Sequence, residues 1–508
     1  MPLLHVGPRL RVGPAGPGAA RVVGSPYCWK SLIAGCVMSA ERPYRILSLD
    51  GGGSWALIQV MALIEIYGRD TRGHDVLADF DLVAANSGGS LTLGGLFTDK
   101  TLGEVLDQNF LDEAKRRSVF TELPFDIDFD DRPFRAMWHR LMRLFANVGA
   151  KYRTEAKYDG LRALLDPVGD RDLLDLHSWV GGRKGTAPHV LIVGFDYDMR
   201  RAKFFRSDIG SLSGSTPSEQ LGARLREDFA HPRRRLPTLA QAIHASSNAP
   251  VKFFMSPAEI ANGEHTERYW DGAIAGYNNP VLAALVEALA NRNRYRIGTL
   301  AELTILSLGT GTVARPTHGR AADKRLVASE RKLSTLHGDL EQLAMSILDD
   351  PPDSATYTAH VMLGQPLPDP NGSGVRPPVT NGSVVRMSPV IRPVRDTCNA
   401  PWRLPDGMKL GVFEQLRELD LDAVDKEDVD RLVEAGRLWI AGRLPNQAIR
   451  ENKEYECQIG HATFGEALAA WRALVQRSGG MRGLQPEAIR SAALAAALRP
   501  GPAEVVTP

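Results

Sequence analysis

Two strand-to-helix junctions built from small residues constrain this chain more than any other feature. At the first, the apolar run Arg45-Ile46-Leu47-Ser48-Leu49 gives way to Asp50-Gly51-Gly52-Gly53, and a helical pattern from Trp55 to Ile64 follows. At the second, Phe80-Asp81-Leu82-Val83-Ala84-Ala85 leads through Asn86-Ser87-Gly88-Gly89 into the apolar segment Leu91–Phe97. Strands alternating with helical patterns belong to layered α/β folds. Further strands are expected at Pro188–Phe195 and Lys203–Arg206. The fold class read from this alternation is α/β: a three-layer α/β/α sandwich with a mainly parallel central sheet, plus a mixed C-terminal extension. Functional groups in such sheets gather at the carboxyl ends of strands, where both Asp50 and Ser87 fall.

Each junction has two chemical readings. Ser87 on a sharp turn matches a nucleophile elbow, which aims a hydroxyl away from the sheet; the usual G-x-S-x-G has Ala85 in its first place here. The alternative is a small-residue turn in which Ser87 or Ser90 only caps the helix. The three glycines can converge backbone N–H groups on one point at a helix N-terminus, which favours negative charge. That point suits either a phosphate or the oxyanion of a tetrahedral acyl intermediate. A phosphate loop needs G-x-x-x-x-G-K-[ST], and no lysine follows; a dinucleotide fingerprint needs a third glycine where Ala56 stands. The oxyanion reading needs only the backbone donors and fits better. Asp50 is read as tying the loop down.

A third piece, Asp271-Gly272-Ala273, follows Arg268-Tyr269-Trp270 and precedes Asn278-Asn279-Pro280. An isolated D-G is usually a turn. The order of the pieces changes that reading. Asp50-Gly51-Gly52-Gly53, the Ser87 elbow, Ala245-Ser246-Ser247-Asn248-Ala249-Pro250, Asp271-Gly272-Ala273 and Asn278-Asn279-Pro280 together resemble the patatin-like phospholipase family. The resemblance runs from about Tyr44 to Glu287, and Thr304–Gly311 is similar to the family's following strand and loop. It implies a Ser–Asp dyad without a catalytic histidine: Ser87 as nucleophile and Asp271 as general base. Gly51, Gly52 and Gly53, with the N–H of Gly88, would form the oxyanion hole. A free aspartate, with a pKa of about 3.9, is a poor base at neutral pH, so burial near Tyr269 and Trp270 is expected to raise it. The chain departs from the family's D-G-G-G-x-R-G, with Trp55 and Ala56 in place of Arg and Gly. His244, beside Ala245-Ser246-Ser247, is read as structural.

The remaining sequence bounds this function. A net charge of +1 gives no global argument for nucleic acid, and no nucleic-acid partner is expected. There is no H-E-x-x-H, C-x-x-C pair or calcium loop, so neither a metal nor a cofactor is expected. Cys28, Cys36, Cys398 and Cys457 lack framework spacing, which fits a reducing compartment and a cytoplasmic protein, peripheral at the inner membrane surface where it meets lipid. No run of 18 apolar residues is present.

Along the chain, residues 1–37 read as a disordered or misannotated extension, with translation expected to begin at Met38. Residues 38–345 form the catalytic domain with an insertion at 99–183. Within the insertion, Phe134, Met137, Trp138, Leu141 and Phe145 share one helical face opposite Arg135, Arg140 and Arg143. The stretch 132–145 is therefore a candidate for peripheral membrane contact, or simply a packed amphipathic helix. Arg233-Arg234-Arg235 reads as a solvated loop. Residues 346–475 read as a C-terminal extension packing on the core and over the active-site mouth. It contains an irregular stretch from Asp350 to Pro393 with a hairpin at Asn381-Gly382, then a helix from Phe413 to Trp439. Residues 476–508 read as a mobile tail. The expected substrate is a phospholipid or other acyl-ester lipid. Trp55 and Ala56 leave open a second class, a weak or inactive patatin-fold protein that binds lipid or acts as a scaffold. A phosphate-binding protein using Gly51–Gly53 is the third.

Overall fold

The computed structural model describes residues 43–122, 151–184, 187–207, 237–250, 253–262, 265–316, 325–328, 353–367, 379–397, 400–452 and 457–482. The stretches 1–37, 132–145, Arg233–Arg235 and most of the 476–508 tail lie outside them.

The central sheet has eight strands: β1 (Tyr44–Leu49), β2 (Leu82–Asn86), β3 (His189–Asp196), β4 (Arg201–Arg206), β5 (Ala258–Asn262), β6 (His265–Asp271), β7 (Leu303–Leu308) and β8 (Val384–Met387). The order across it is β5-β6-β3-β2-β1-β7-β8, with β4 also paired to β3. The middle of the sheet is parallel, through β3-β2, β2-β1, β1-β7 and β7-β8; β4 and β6 run antiparallel to β3. Every residue of β1, β2 and β7 is buried. A parallel sheet covered on both faces requires this, and it explains why these strands read as continuous apolar runs. One face is covered by α1 (Leu57–Tyr67) and α2 (Ser87–Phe97), whose side chains join the larger core cluster. Val281–Ala290 packs its apolar residues against the other face with Ile46, Ala84 and Ile305.

Two expectations for the C-terminal part need correction. Asp350–Pro393 is not simply irregular: a helix spans 353–362, and Val384–Met387 extends the central sheet in parallel with β7. Asn381-Gly382 therefore leads into a parallel strand and turns no hairpin. The single helix expected over Phe413–Trp439 is two helices, Leu410–Glu418 and Lys426–Ile440. The break between them, Leu419–Asp425, crosses the site described next. Among the described residues, no helix is long and apolar enough to cross a membrane.

Candidate active site

Ser87 follows β2 without a loop and is the first residue of α2. Its φ is 47°, in the left-handed region that non-glycine residues seldom occupy, the strain expected of an elbow that presents a side chain. The glycines after it answer to close approach. A Cβ on Gly88 would lie 2.4 Å from the Gly53 carbonyl oxygen, and one on Gly89 would lie 2.3 Å from that of Leu49. The two junctions recognised in the sequence thus touch each other.

Asp271 ends β6, opposite Gly194 of β3. One strand separates it from Asn86, which pairs with Val193. Gly272 slots into the gap: a Cβ there would meet Asn86 Oδ1 at 2.4 Å and the Val193 carbonyl oxygen at 2.8 Å. Two groups donate to Asp271 Oδ1: Asn86 Nδ2 at 3.1 Å and the Ala273 N–H at 2.9 Å. The side chain is buried, and burial pushes its pKa above the ordinary carboxylate range. Hydrogen bonds from the Ala273 N–H, the Ser87 hydroxyl and Asn86 oppose the rise, as does the charge of Lys157. The Asp271 carboxylate is thus tied to the residue before Ser87, through Asn86.

Asn86 and Ser246 complete the setting, and sequence reading gave neither a role. Ser246 Oγ accepts the Ser87 N–H at 2.9 Å and donates to Asn86 Oδ1 at 3.4 Å, so one chain of bonds runs from the elbow to the base. Both lie inside segments that carried the resemblance, which was their only signal. His244 takes no part in these bonds. Its ring is buried beside Tyr158, and burial, then the nearby Lys157, hold its pKa well below the ordinary range.

The glycine loop supplies fewer donors than expected. The Gly51 N–H is already bound to the Asn278 carbonyl at 2.8 Å, so Gly51 leaves the set of oxyanion donors. Its glycine is required for space, because a Cβ would sit 2.3 Å from Asn278 Oδ1 and 3.0 Å from Ser87 Cβ. Thr310 Oγ1 donates to the Gly51 carbonyl at 2.9 Å, and Gln59 Nε2 donates to that of Asp50 at 2.8 Å. Asp50 is structural, its carboxylate 2.6 Å from Arg386. Among the described residues, the N–H groups of Gly52, Gly53 and Gly88 make no comparable loop bond.

The C-terminal extension closes one wall. The Leu421 carbonyl accepts the Ser54 N–H at 2.8 Å, and the Asp420 carbonyl accepts from Trp55 Nε1 at 3.2 Å. Trp55, standing where the family has arginine, therefore anchors this strap. Lys151 Nζ donates to Asp420 and Asp422 at 3.0 and 3.1 Å, and the Tyr152 hydroxyl donates to Asp422. The pocket above Ser87 has apolar walls from Leu91, Val119, Phe120, Phe253, Phe254 and Leu421, with Lys157 and Asp422 as its charged members. Gly53 carries both the left-handed φ of 56° and the closest strap contact, since a Cβ would fall 2.1 Å from the Leu421 carbonyl oxygen. Gly53→Ala is expected to cost at least the ~1–2 kcal/mol of a left-handed residue, plus displacement of the strap. Urea denaturation measures the loss. Among the described residues, no group of three or more His, Cys, Asp or Glu could hold a metal ion.

Residues 47–285 match the family model described as patatin-like phospholipase. The chain contains a patatin-like phospholipase domain. Its fold is the patatin fold, and the match supports lipid acyl hydrolysis in general. Two solved structures are similar at low identity. VipD from Legionella pneumophila is 12% identical, with 89% of this chain and 79% of that one covered, at a TM-score of 0.30. Human GIVD cytosolic phospholipase A2 is 13% identical, with 78% of this chain and 60% of that one covered, at a TM-score of 0.25. Comparison with curated proteins gives no match. The assignment rests on the family model and the segments it spans.

Proposed function

We propose that the patatin-like domain hydrolyses a carboxylic ester of a phospholipid, lysophospholipid or related acyl lipid through a Ser87–Asp271 dyad. The observation that carries this reading is the chain of bonds from the Ser87 N–H through Ser246 and Asn86 to the buried Asp271, with Ser87 lining an apolar pocket. Ser87 Oγ attacks the ester carbonyl carbon while the Asp271 carboxylate accepts the hydroxyl proton. The carbonyl oxygen becomes an oxyanion facing the N–H groups of Gly52, Gly53 and Gly88. Collapse breaks the ester bond, and the leaving alkoxide takes the proton from Asp271. Water then attacks the acyl-enzyme, Asp271 accepts a proton from it, and Ser87 regains that proton as the fatty acid leaves. Cytoplasmic placement belongs to the same reading and is supported by the unpatterned cysteines; peripheral membrane contact belongs to it only through the proposed lipid substrate.

The test is fatty-acid release from mixed phospholipid liposomes, read by mass spectrometry, for the wild type and Ser87→Ala. Release by the wild type should fall by at least about 10⁴-fold in the variant. Because protonated Asp271 cannot accept the serine proton, and burial raises its pKa, the acid limb of kcat/KM should lie above the ordinary carboxylate range. Fluorophosphonate labelling at Ser87 checks activation independently of lipid. Lipid binding without release or labelling would leave the binding or scaffold reading prompted by Trp55 and Ala56.

A further inference from the structure

Lys157 is the one cationic side chain lining the pocket of Ser87 among the described residues. It comes from the helix Thr154–Leu164, inside the insertion, and only 1% of the residue is exposed. Nζ donates to the His244 carbonyl at 2.9 Å and to Asn248 Oδ1 at 3.4 Å, and it stands 4.3 Å from the centroid of the Phe254 ring. Among the described residues no carboxylate reaches ion-pair distance of it. Neutral acceptors and a ring face compensate a buried ammonium poorly, so the fold keeps this lysine at a cost that packing alone does not explain. Its electrostatic partner is Asp271, for which Lys157 is in turn the one charged neighbour among the described residues. Asn248 joins them: its side chain accepts from Lys157, and its carbonyl accepts the Asp271 N–H at 3.0 Å.

We propose that Lys157 is a positioning residue of the acyl-transfer site, a cation supplied by the insertion that holds Asp271 as the ionised, proton-accepting carboxylate. This proposal rests on the Ser87–Asp271 reading. Other titratable groups around Lys157 do not substitute for it. His244 is buried and pushed towards its neutral form, and Asp422 gives its carboxylate to Lys151 and Tyr152. Burial also holds the Lys157 pKa well below the ordinary lysine range, and the carboxylate of Asp271 opposes that fall. Lysine and base therefore stabilise each other's charge. The family's arginine beside the glycine loop is absent at Trp55, and Lys157 brings positive charge to the same pocket from another element.

The experiment compares kcat/KM against pH for the full chain carrying Lys157→Met, Lys157→Gln or Lys157→Arg. Lys157→Gln keeps an N–H donor for His244 and Asn248, and guards against misfolding of Lys157→Met; thermal unfolding reports both. Loss of the cation should move the acid limb upward by about one pH unit, the low end for an opposite charge near a carboxylate. Lys157→Arg should keep the wild-type limb. A uniform fall at every pH with an unmoved limb in both neutral variants would overturn the proposal and leave Lys157 a packing residue. The carboxyl ¹³C signal of Asp271, assigned through Asp271→Asn, gives the same titration without turnover. If the wild type releases no fatty acid, the hydrolase reading fails, while this signal still decides whether Lys157 sets the charge of Asp271.

Discussion

Asp271→Asn is expected to lower kcat/KM for fatty-acid release by about 10³–10⁴-fold while leaving the fold intact. The geometry separates the two effects. Both structural donors, Asn86 Nδ2 and the Ala273 N–H, point at Oδ1. An asparagine can turn its amide oxygen to the same place and keep both bonds, so denaturation should report a change of no more than about 1 kcal/mol. What disappears is the proton acceptor. A side-chain general base contributes about 10²–10⁴-fold, and the serine hydroxyl is a weak nucleophile without one. Among the described residues, Asp271 is the carboxylate tied to the Ser87 elbow, through Asn86 and Ser246. Fluorophosphonate labelling of Ser87 should slow in parallel, because it needs the same activated oxygen. Near-wild-type release from Asp271→Asn would remove Asp271 from the role of base. Release lost together with several kcal/mol of stability would make it structural instead.

The parts of this site that were legible in the sequence are those whose chemistry is local. The small residues after β1 and β2 must be small because the two junctions touch, and that demand is written at Gly51, Gly88 and Gly89 themselves. Asp271 was legible through the order of the segments around it, and the structure shows why glycine follows it: Gly272 has to fit against Asn86 and Val193. The loss of Gly51 from the donor set was not legible: its N–H is claimed by the Asn278 carbonyl, far away in sequence. Lys157 reads as an ordinary helical lysine until the fold buries it against His244 and Asn248. β8 was missed because Val-Val-Arg-Met is short, carries a charge mid-strand and lies in a stretch rich in Pro, Gly and Ser. The strap was missed because the acid-rich stretch around Asp420 and Asp422 fits a helical pattern as well as a turn, and only the long-range contacts with Ser54, Lys151 and Tyr152 settle it.

Arg386→Met is expected to destabilise the protein by about 3–5 kcal/mol near neutral pH, the usual cost of removing one partner of a buried ion pair. The residue sits on β8, outside the segment that matches the family, yet its guanidinium reaches the loop of Asp50 and the three glycines. Nη2 lies 2.6 Å from Asp50 Oδ2, both side chains are 3% exposed, and Nη1 donates to Ser307 Oγ at 2.9 Å. Nε and Nη2 both donate to Gln447 Oε1, at 3.1 and 2.9 Å. Asp50 has little other support, because its Oδ1 is buried and has no hydrogen-bond partner among the described residues. Burial pushes the Asp50 pKa up to about 6 even with Arg386 in place, and without that cation it should rise further. The sign follows. A carboxyl group whose folded pKa is raised keeps its proton in the native state longer than in the unfolded chain, so stability falls as pH rises towards the folded pKa. In the wild type that fall ends near pH 6; in Arg386→Met it continues upward. The stability gap between the two should therefore be small at pH 5 and open above about pH 6, which urea denaturation at pH 5 and pH 8 measures. Arg386→Met combined with Asp50→Asn should recover most of the loss at pH 8, since the uncompensated charge is gone. Equal destabilisation at both pH values would show that the packing of β8, and not the charge on Asp50, is what Arg386 supplies.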